Sequence, residues 1–402
     1  MRFALLCDDL LAKPVVDALN DGVGGHQLTH AVRVTPQADQ LLHGLHDVAF
    51  VEHWEDLLVD THVDAILVGG IEPQILEGAR QLATAGFPIL FMPSASQGST
   101  FAYEMSLIRD DNRVTLYPVF WHRFDAAAVR LKRAITEGTI GQVRFLQLKR
   151  SLATSSPGMP IAQRDVDAEL LLDIDLPRWL VGDYNQVTGL RTAATDVGVL
   201  MQSVVLAGRT LPELNWSIDS TEAAGEWRLI VRGTNGVAEM IRETSTQEWT
   251  CTIDGQCVQG HAPSTSRDLL AAFGTSISRK MPLRDEPGIV DGEWGDLVKC
   301  FETLEATHRS VTRRRTIELH FEPMSERAIF KTQMTAIGCG LLVATFFLSL
   351  CYLAIAKLIP LPSQVLIGLR ALVFLPLVVF LVAQFLLPLT RPSTNEPIGR
   401  HN

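Results

Sequence analysis

The chain lacks a basic surplus. It carries 45 Asp and Glu against 35 Lys and Arg, a formal net charge of -10 over 402 residues. A general nucleic-acid binder rests its affinity on a basic face, so that class is excluded and no nucleic-acid partner is expected. Zinc-finger spacing and long low-complexity runs are also missing. The six cysteines, Cys7, Cys251, Cys257, Cys300, Cys339 and Cys351, are scattered. That pattern suits a reducing compartment and not a disulfide framework. Cys251 and Cys257 flank an Asp254-Gly255 turn signal and could meet across a hairpin. The first residues, MRFALLCDDLLAKPVV, do not read as a signal peptide, because Asp8 and Asp9 interrupt a short apolar run.

Charge is absent altogether from two C-terminal segments, Met334 to Ala356 and Ala371 to Leu389. Each is long enough to cross a hydrocarbon core of about 30 Å as a helix. Neither shows the polar stripe of a surface helix. Arg313, Arg314, Arg315, Arg327 and Lys331 precede the first segment, and Arg391 and Arg400 follow the second. Only Lys357 and Arg370 lie between them. The positive-inside rule then puts both ends in the cytoplasm. The expectation is a two-span hairpin in the cytoplasmic membrane over residues 327–402, with the lipid bilayer as a partner.

The rest of the chain has two textures. From Arg2 to about Pro118, short apolar strands alternate with helices. Strands are expected at Phe3–Leu6, Leu28–Val34, His46–Val51, Val63–Val68 and Pro88–Met92, with helices at Trp54–Val59 and Ile75–Ala85. Apolar strands without strict alternation imply a parallel sheet covered on both faces, a doubly wound Rossmann-like domain over residues 1–120. From about Gln142, longer strands dominate: Val143–Leu152, Val197–Leu206, Glu226–Arg232, Val237–Arg242 and Trp249–Ile253. Asn235-Gly236 and Asp254-Gly255 signal hairpins. Helices are expected at Asp167–Val181 and Gly292–His308, and a last strand at Thr316–Phe321. Residues 121–326 therefore read as an α+β domain with a largely antiparallel sheet.

Between these parts lies Val119 to Val143, VFWHRFDAAAVRLKRAITEGTIGQV. An Arg-Phe pair ends a strand-like run. A helix of 3.6 period follows, with Val129, Leu131 and Ile135, and it closes on Glu-Gly-Thr-Ile-Gly. This resembles the junction between the two domains of the Gfo/Idh/MocA oxidoreductases, which act mostly on sugars and related polyols with NAD or NADP. The resemblance covers roughly Arg2 to Glu322.

The resemblance implies four working stations, and each is altered. Glycines after the first strand should let the backbone approach a diphosphate. Here the turn is Cys7-Asp8-Asp9, whose carboxylates oppose an anion and can cap the next helix. An acid should end the second strand, but the chain reads Val32-Arg33-Val34-Thr35. The Glu-Lys-Pro after the fifth strand is Phe91-Met92-Pro93, and methionine cannot carry charge or donate a proton. The second-domain helix should carry a His and, three residues on, an Asp. Leu172 takes the His position and Asp175 the Asp position, with Asp173 beside them. Asp173 and Asp175 are the candidate catalytic groups, or else capping or surface charges. His122 and Arg123 are placed by the resemblance beside the substrate cleft. Arg123 could bind an anionic group or hold the domains together. His43, His46 and His53 show no metal-binding motif, and no metal is expected.

The expectation is a membrane-anchored protein with degenerate cofactor and catalytic sites and no cofactor. Its role would be binding, scaffolding or regulation at the cytoplasmic membrane face. A small sugar-like ligand and a second copy of the chain are its expected partners. The alternative is an active NAD(P)-dependent oxidoreductase acting on a sugar or sugar derivative.

Overall fold

A computed structural model describes residues 1–320 and 345–349. Within the first stretch it omits residues 37, 46, 60–61, 153–158, 196–197, 221–224, 244–248, 261–264 and 280–292. Met1–Phe321 forms one compact unit and Glu322–Asn402 another. The two segments expected to span a membrane lie outside the described residues, except for residues 345–349, which are helical. No helix among the described residues is long and apolar enough to cross a membrane.

Six parallel strands open the fold: β1 (Arg2–Cys7), β2 (Gln27–Val32), β3 (Ala49–Val51), β4 (Ala65–Gly69), β5 (Ile89–Met92) and β6 (Leu116–Pro118). Their order is β3-β2-β1-β4-β5-β6, with the reversal between β1 and β4. Strand β1 shows why the sheet is buried twice. Phe3, Leu5 and Cys7 enter one apolar core, and Ala4 and Leu6 enter the other. The first core is covered by α1 (Lys13–Asn20), α2 (Ala38–Leu42) and α8 (Thr265–Arg279), whose Phe273 meets Phe3 and Tyr117. The second is covered by α4 (Pro73–Thr84) and α5 (Gly98–Asn112) and runs on without a break into the second sheet. A short α3 (Asp56–Val59) precedes β4.

The second sheet joins β7 (Val143–Ser151), β8 (Ile161–Ala162), β9 (Gln186–Thr195), β10 (Gly198–Ala207), β11 (Glu213–Asp219), β12 (Glu226–Gly233), β13 (Val237–Glu243), β14 (Trp249–Ile253), β15 (Gln256–Gly260) and β16 (Ile317–Glu318). Its order is β15-β14-β13-β12-β7-β11-β10-β9-β16, with β8 on β10. All pairs are antiparallel except β7 with β11. Strands β11 and β12 alternate buried and half-buried residues, as a sheet covered on one face must. The covering helices are α7 (Gln163–Val181) and α9 (Trp294–Arg313), while α6 (Ala126–Thr136) packs near β14.

The structure refines several expectations. The run before Arg123 is no strand: β6 ends at Pro118, and Trp121–Phe124 makes a 3-10 turn. Helix α6 buries Ala127, Ala128, Leu131 and Ala134, whereas Val129 is exposed. Strands β9 and β11 and helices α5 and α8 were not among the expected elements. The Asp254-Gly255 turn forms as expected, with φ of 48° and 77°. Thr252, not Cys251, faces Cys257 across it. Cys251 is buried and Cys257 exposed, and both are free thiols.

Trp294 seats α9, which packs on β9 of the second sheet, against the layer of the first. It is 1% exposed, its ring lies 5.1 Å from Phe91 at an edge-on angle, and its Nε1 donates to the Ala102 carbonyl at 2.8 Å. Trp294→Ala is expected to cost about 3–5 kcal/mol of folding stability, measured by urea unfolding of the purified chain.

Candidate functional site

The expected site residues come together where the 3-10 turn Trp121–Phe124 meets α7. This turn buries His122 and Arg123, and α7 buries residues on every side because it lies between the second sheet and the first domain. Buried carboxylates on such a helix must find cations or N–H donors.

Asp173 finds five contacts and is 0% exposed. Arg150 of β7 grips it with two bonds, 3.0 Å from Nε and 2.6 Å from a terminal nitrogen. The indole N–H groups of Trp216 and Trp227 each donate at 2.9 Å. His122 Nε2 lies 3.5 Å away, and its ring stacks on Trp227 at 5.2 Å. Burial pushes the Asp173 carboxyl up, but Arg150 and then His122 outweigh it and hold the group well below the usual carboxylate range. Arg150 also pairs with Glu169 at 2.8 Å. Burial raises the pKa of Glu169, against the opposing pull of Arg150.

Asp175 is equally committed. Arg123 donates to both its oxygens, at 2.8 Å and 2.5 Å, and to Asp296 of α9 at 2.7 Å. The guanidinium also lies over the Phe120 ring, 4.7 Å from its centre. Arg178 follows Asp175 by one helical turn and reaches Asp183 at 2.6 Å, Asp296 at 3.2 Å and the Cys300 sulfur at 3.3 Å. Burial pushes the Cys300 thiol up to about 12. These contacts join the turn after β6 to α7 and α9. Leu172, in the histidine position, is partly exposed. His122 keeps Nδ1 buried without a hydrogen-bond partner.

Sequence reasoning missed Arg150, Trp216, Trp227, Asp296 and Arg178. Only Arg178 had a local signal, its spacing of one turn from Asp175. The others come from strands and a helix far along the chain.

The second group of expected residues lies at the carboxyl ends of β1, β4 and β5. Met92 is buried in the apolar core as the last residue of β5. Its carbonyl and that of Gly70 accept from the Gln97 amide at 3.2 Å and 2.9 Å. Asp9 caps the 3-10 turn Leu10–Ala12 by accepting from the Leu11 N–H at 2.9 Å. Asp8 instead accepts from the Thr35 hydroxyl at 3.2 Å. Burial, then proximity of Glu72, raises the Asp8 pKa, and burial, then Asp8, raises that of Asp9. Among the described residues no group of three His, Cys, Asp or Glu is arranged to hold a metal ion. His43 and His53 are exposed, and His46 lies outside the described residues.

The same two sheets, joined the same way, recur in known oxidoreductases. Myo-inositol 2-dehydrogenase from Lactobacillus plantarum superposes with a TM-score of 0.62 at 17% identity, covering 80% of this chain and 99% of that one. Myo-inositol dehydrogenase from Corynebacterium glutamicum gives 0.62 at 16%, with 80% and 99% coverage. An oxidoreductase from Agrobacterium radiobacter, in complex with NAD+, L-tartaric acid and magnesium, gives 0.63 at 14%, with 79% and 98% coverage. The chain has the fold of Gfo/Idh/MocA-type oxidoreductases. In sequence, inositol 2-dehydrogenase 2 from Saccharopolyspora erythraea is 28% identical over 132 residues, 31% of this chain. The chain thus matches only 37% of that relative's length. No family model matches the sequence.

Removing the Asp173 charge tests the knot. Its folded pKa is depressed, so its contribution is complete above the unfolded value of 3.8 and is lost as pH falls toward the folded one. Asp173→Asn is expected to lose about 3–5 kcal/mol near neutral pH, because Arg150 keeps a buried charge with half its partners. Urea midpoints followed downward from neutral pH should fall less steeply in this variant than in the unaltered chain.

Proposed function

We propose that this chain is a divergent Gfo/Idh/MocA-like protein that has exchanged hydride transfer for binding or scaffolding. It is anchored by its two apolar C-terminal segments, with the described unit at the cytoplasmic face of the membrane. The observation that carries this reading is the commitment of Arg123, Asp173 and Asp175. Each is at most 3% exposed and engaged by side chains of the same chain. A general acid or base must reach a substrate proton at hydrogen-bond distance. These groups turn inward. Leu172 and Met92, in the histidine and lysine positions, have no proton to give.

The residues after β1 do not suit a dinucleotide. Carboxylates stand where a diphosphate would need backbone N–H groups and space. The reading therefore includes no NAD or NADP. Its ligand is a small sugar-like molecule, a class suggested by the inositol dehydrogenases that share the fold. A second copy of the chain is a further partner. Leu190 and Met201, 65% and 44% exposed on neighbouring strands β9 and β10, lend that face apolar area.

The second reading is an NAD(P)-dependent oxidoreductase acting on a sugar or sugar derivative. The NAD+ bound by the Agrobacterium radiobacter oxidoreductase favours it. Titration calorimetry of the full chain in detergent, with NADH and NADPH, separates the two. No saturable heat up to about 1 mM cofactor is the expected result. Saturable binding below that concentration overturns the first reading and makes a sugar-substrate assay the next step.

A further inference from the structure

Sheets of this strand order bind ligands in the crevice beyond the carboxyl ends, at the point where the order reverses. Here that point lies between β1 and β4. One wall is the turn after β1, and the other is Gly69-Gly70 at the end of β4. The Asp8 side chain lies between them. Its Oδ1 is so close to Gly70 that a Cβ built on that glycine would meet it at 2.0 Å. Gly70 has a φ of 129°, which side-chain-bearing residues rarely adopt.

Three strands hold the carboxylate in place. The Asp8 N–H donates to the Gly69 carbonyl at 3.0 Å. Oδ2 accepts from Thr35, beyond the end of β2, and the Thr35 hydroxyl in turn accepts from the Ala38 N–H at 3.3 Å. Gln97 braces the opposite wall through its bond to the Gly70 carbonyl. The Asp8–Thr35 bond therefore spans from the phosphate side of the crevice to its ribose side, the two places a dinucleotide occupies in this fold.

We propose that Asp8 is a built-in plug: its carboxylate fills the crevice at the strand reversal, and its bond to Thr35 closes the path along which a dinucleotide would lie. The plug works by volume and by charge. A glycine at such a turn lets backbone and diphosphate approach, whereas a carboxylate takes up that space and repels the anion. Asp9, tied to the Leu11 N–H, adds a second negative charge to the same turn. The inference rests on the reading that the unaltered chain binds no dinucleotide, and it assigns the cause to one side chain.

The test uses the full chain in detergent and ADP-ribose as probe, which has the diphosphate and both riboses. Three forms are compared by titration calorimetry: the unaltered chain, Asp8→Gly and Thr35→Val. Asp8→Gly removes the plug, and Thr35→Val releases its tether while leaving the turn intact. Circular dichroism melting shows that each form folds. No saturable binding is expected for the unaltered chain. Asp8→Gly should bind saturably, at least about ten-fold tighter than the detection limit near 1 mM, and Thr35→Val more weakly than Asp8→Gly. If both folded variants stay silent, the plug is overturned while the proposed function stands. If the unaltered chain binds as tightly as Asp8→Gly, the proposed function falls as well.

Discussion

Buried charge must be matched, and the junction of the two sheets is organised by that requirement. Asp173, Asp175 and Asp296 sit on two helices pressed between the sheets, with Arg150, Arg123 and Arg178 brought to them from a strand, a turn and a helix. An unpartnered carboxylate at any of these places would be costly in the low-dielectric interior. The pairs thereby join the 3-10 turn, α7 and α9 to one another and to β7. Trp216 and Trp227 add N–H donors and large apolar rings to the same knot, so polar satisfaction and packing are achieved together.

Helix α7 packs beside the turn that follows β5, at the carboxyl ends of the parallel strands. A charge that is saturated from within has little left to offer a ligand. Beyond the end of β1, Asp8 is bonded to Thr35 and seated against Gly70. Residues in both places thus bond to their own chain. The fold alone does not decide function. The direction in which its polar groups point is the stronger guide.

Strand and helix periodicity made most of the architecture legible. The apolar runs of β1, β4 and β5, the alternation of β12 and β13 and the Asp254-Gly255 turn are local signals, and each formed close to its expected bounds. Strands β9 and β11 and helices α5 and α8 were not anticipated. Leu214, Trp216 and Ile218 of β11 alternate with polar residues, and Leu270, Phe273 and Ile277 of α8 recur at helical spacing, so those two carried a local pattern that went unread. Strand β9 and helix α5 carry a weaker one, and neighbouring elements supply what it lacks. The strand-like run before Arg123 misled because the ladder ends with the bond from the Val119 N–H to the Phe91 carbonyl, and Phe120 is buried beyond it without extending β6.

The sequence by itself determined which residues stand at the stations that the resemblance implies: Asp8 and Asp9 after β1, Met92 at the end of β5 and Leu172 on α7. Residue type alone limits what each can do. It also determined the two uncharged C-terminal segments. Only the tertiary structure decided what the remaining charges do. Asp173 and Asp175 are two residues apart, yet one faces Arg150 and the indoles while the other faces Arg123. Arg123 and Asp296 are separated by 173 positions in the chain and touch at 2.7 Å. Ion pairing acts through space and leaves no mark in local spacing, so those partners became visible only when the chain was folded.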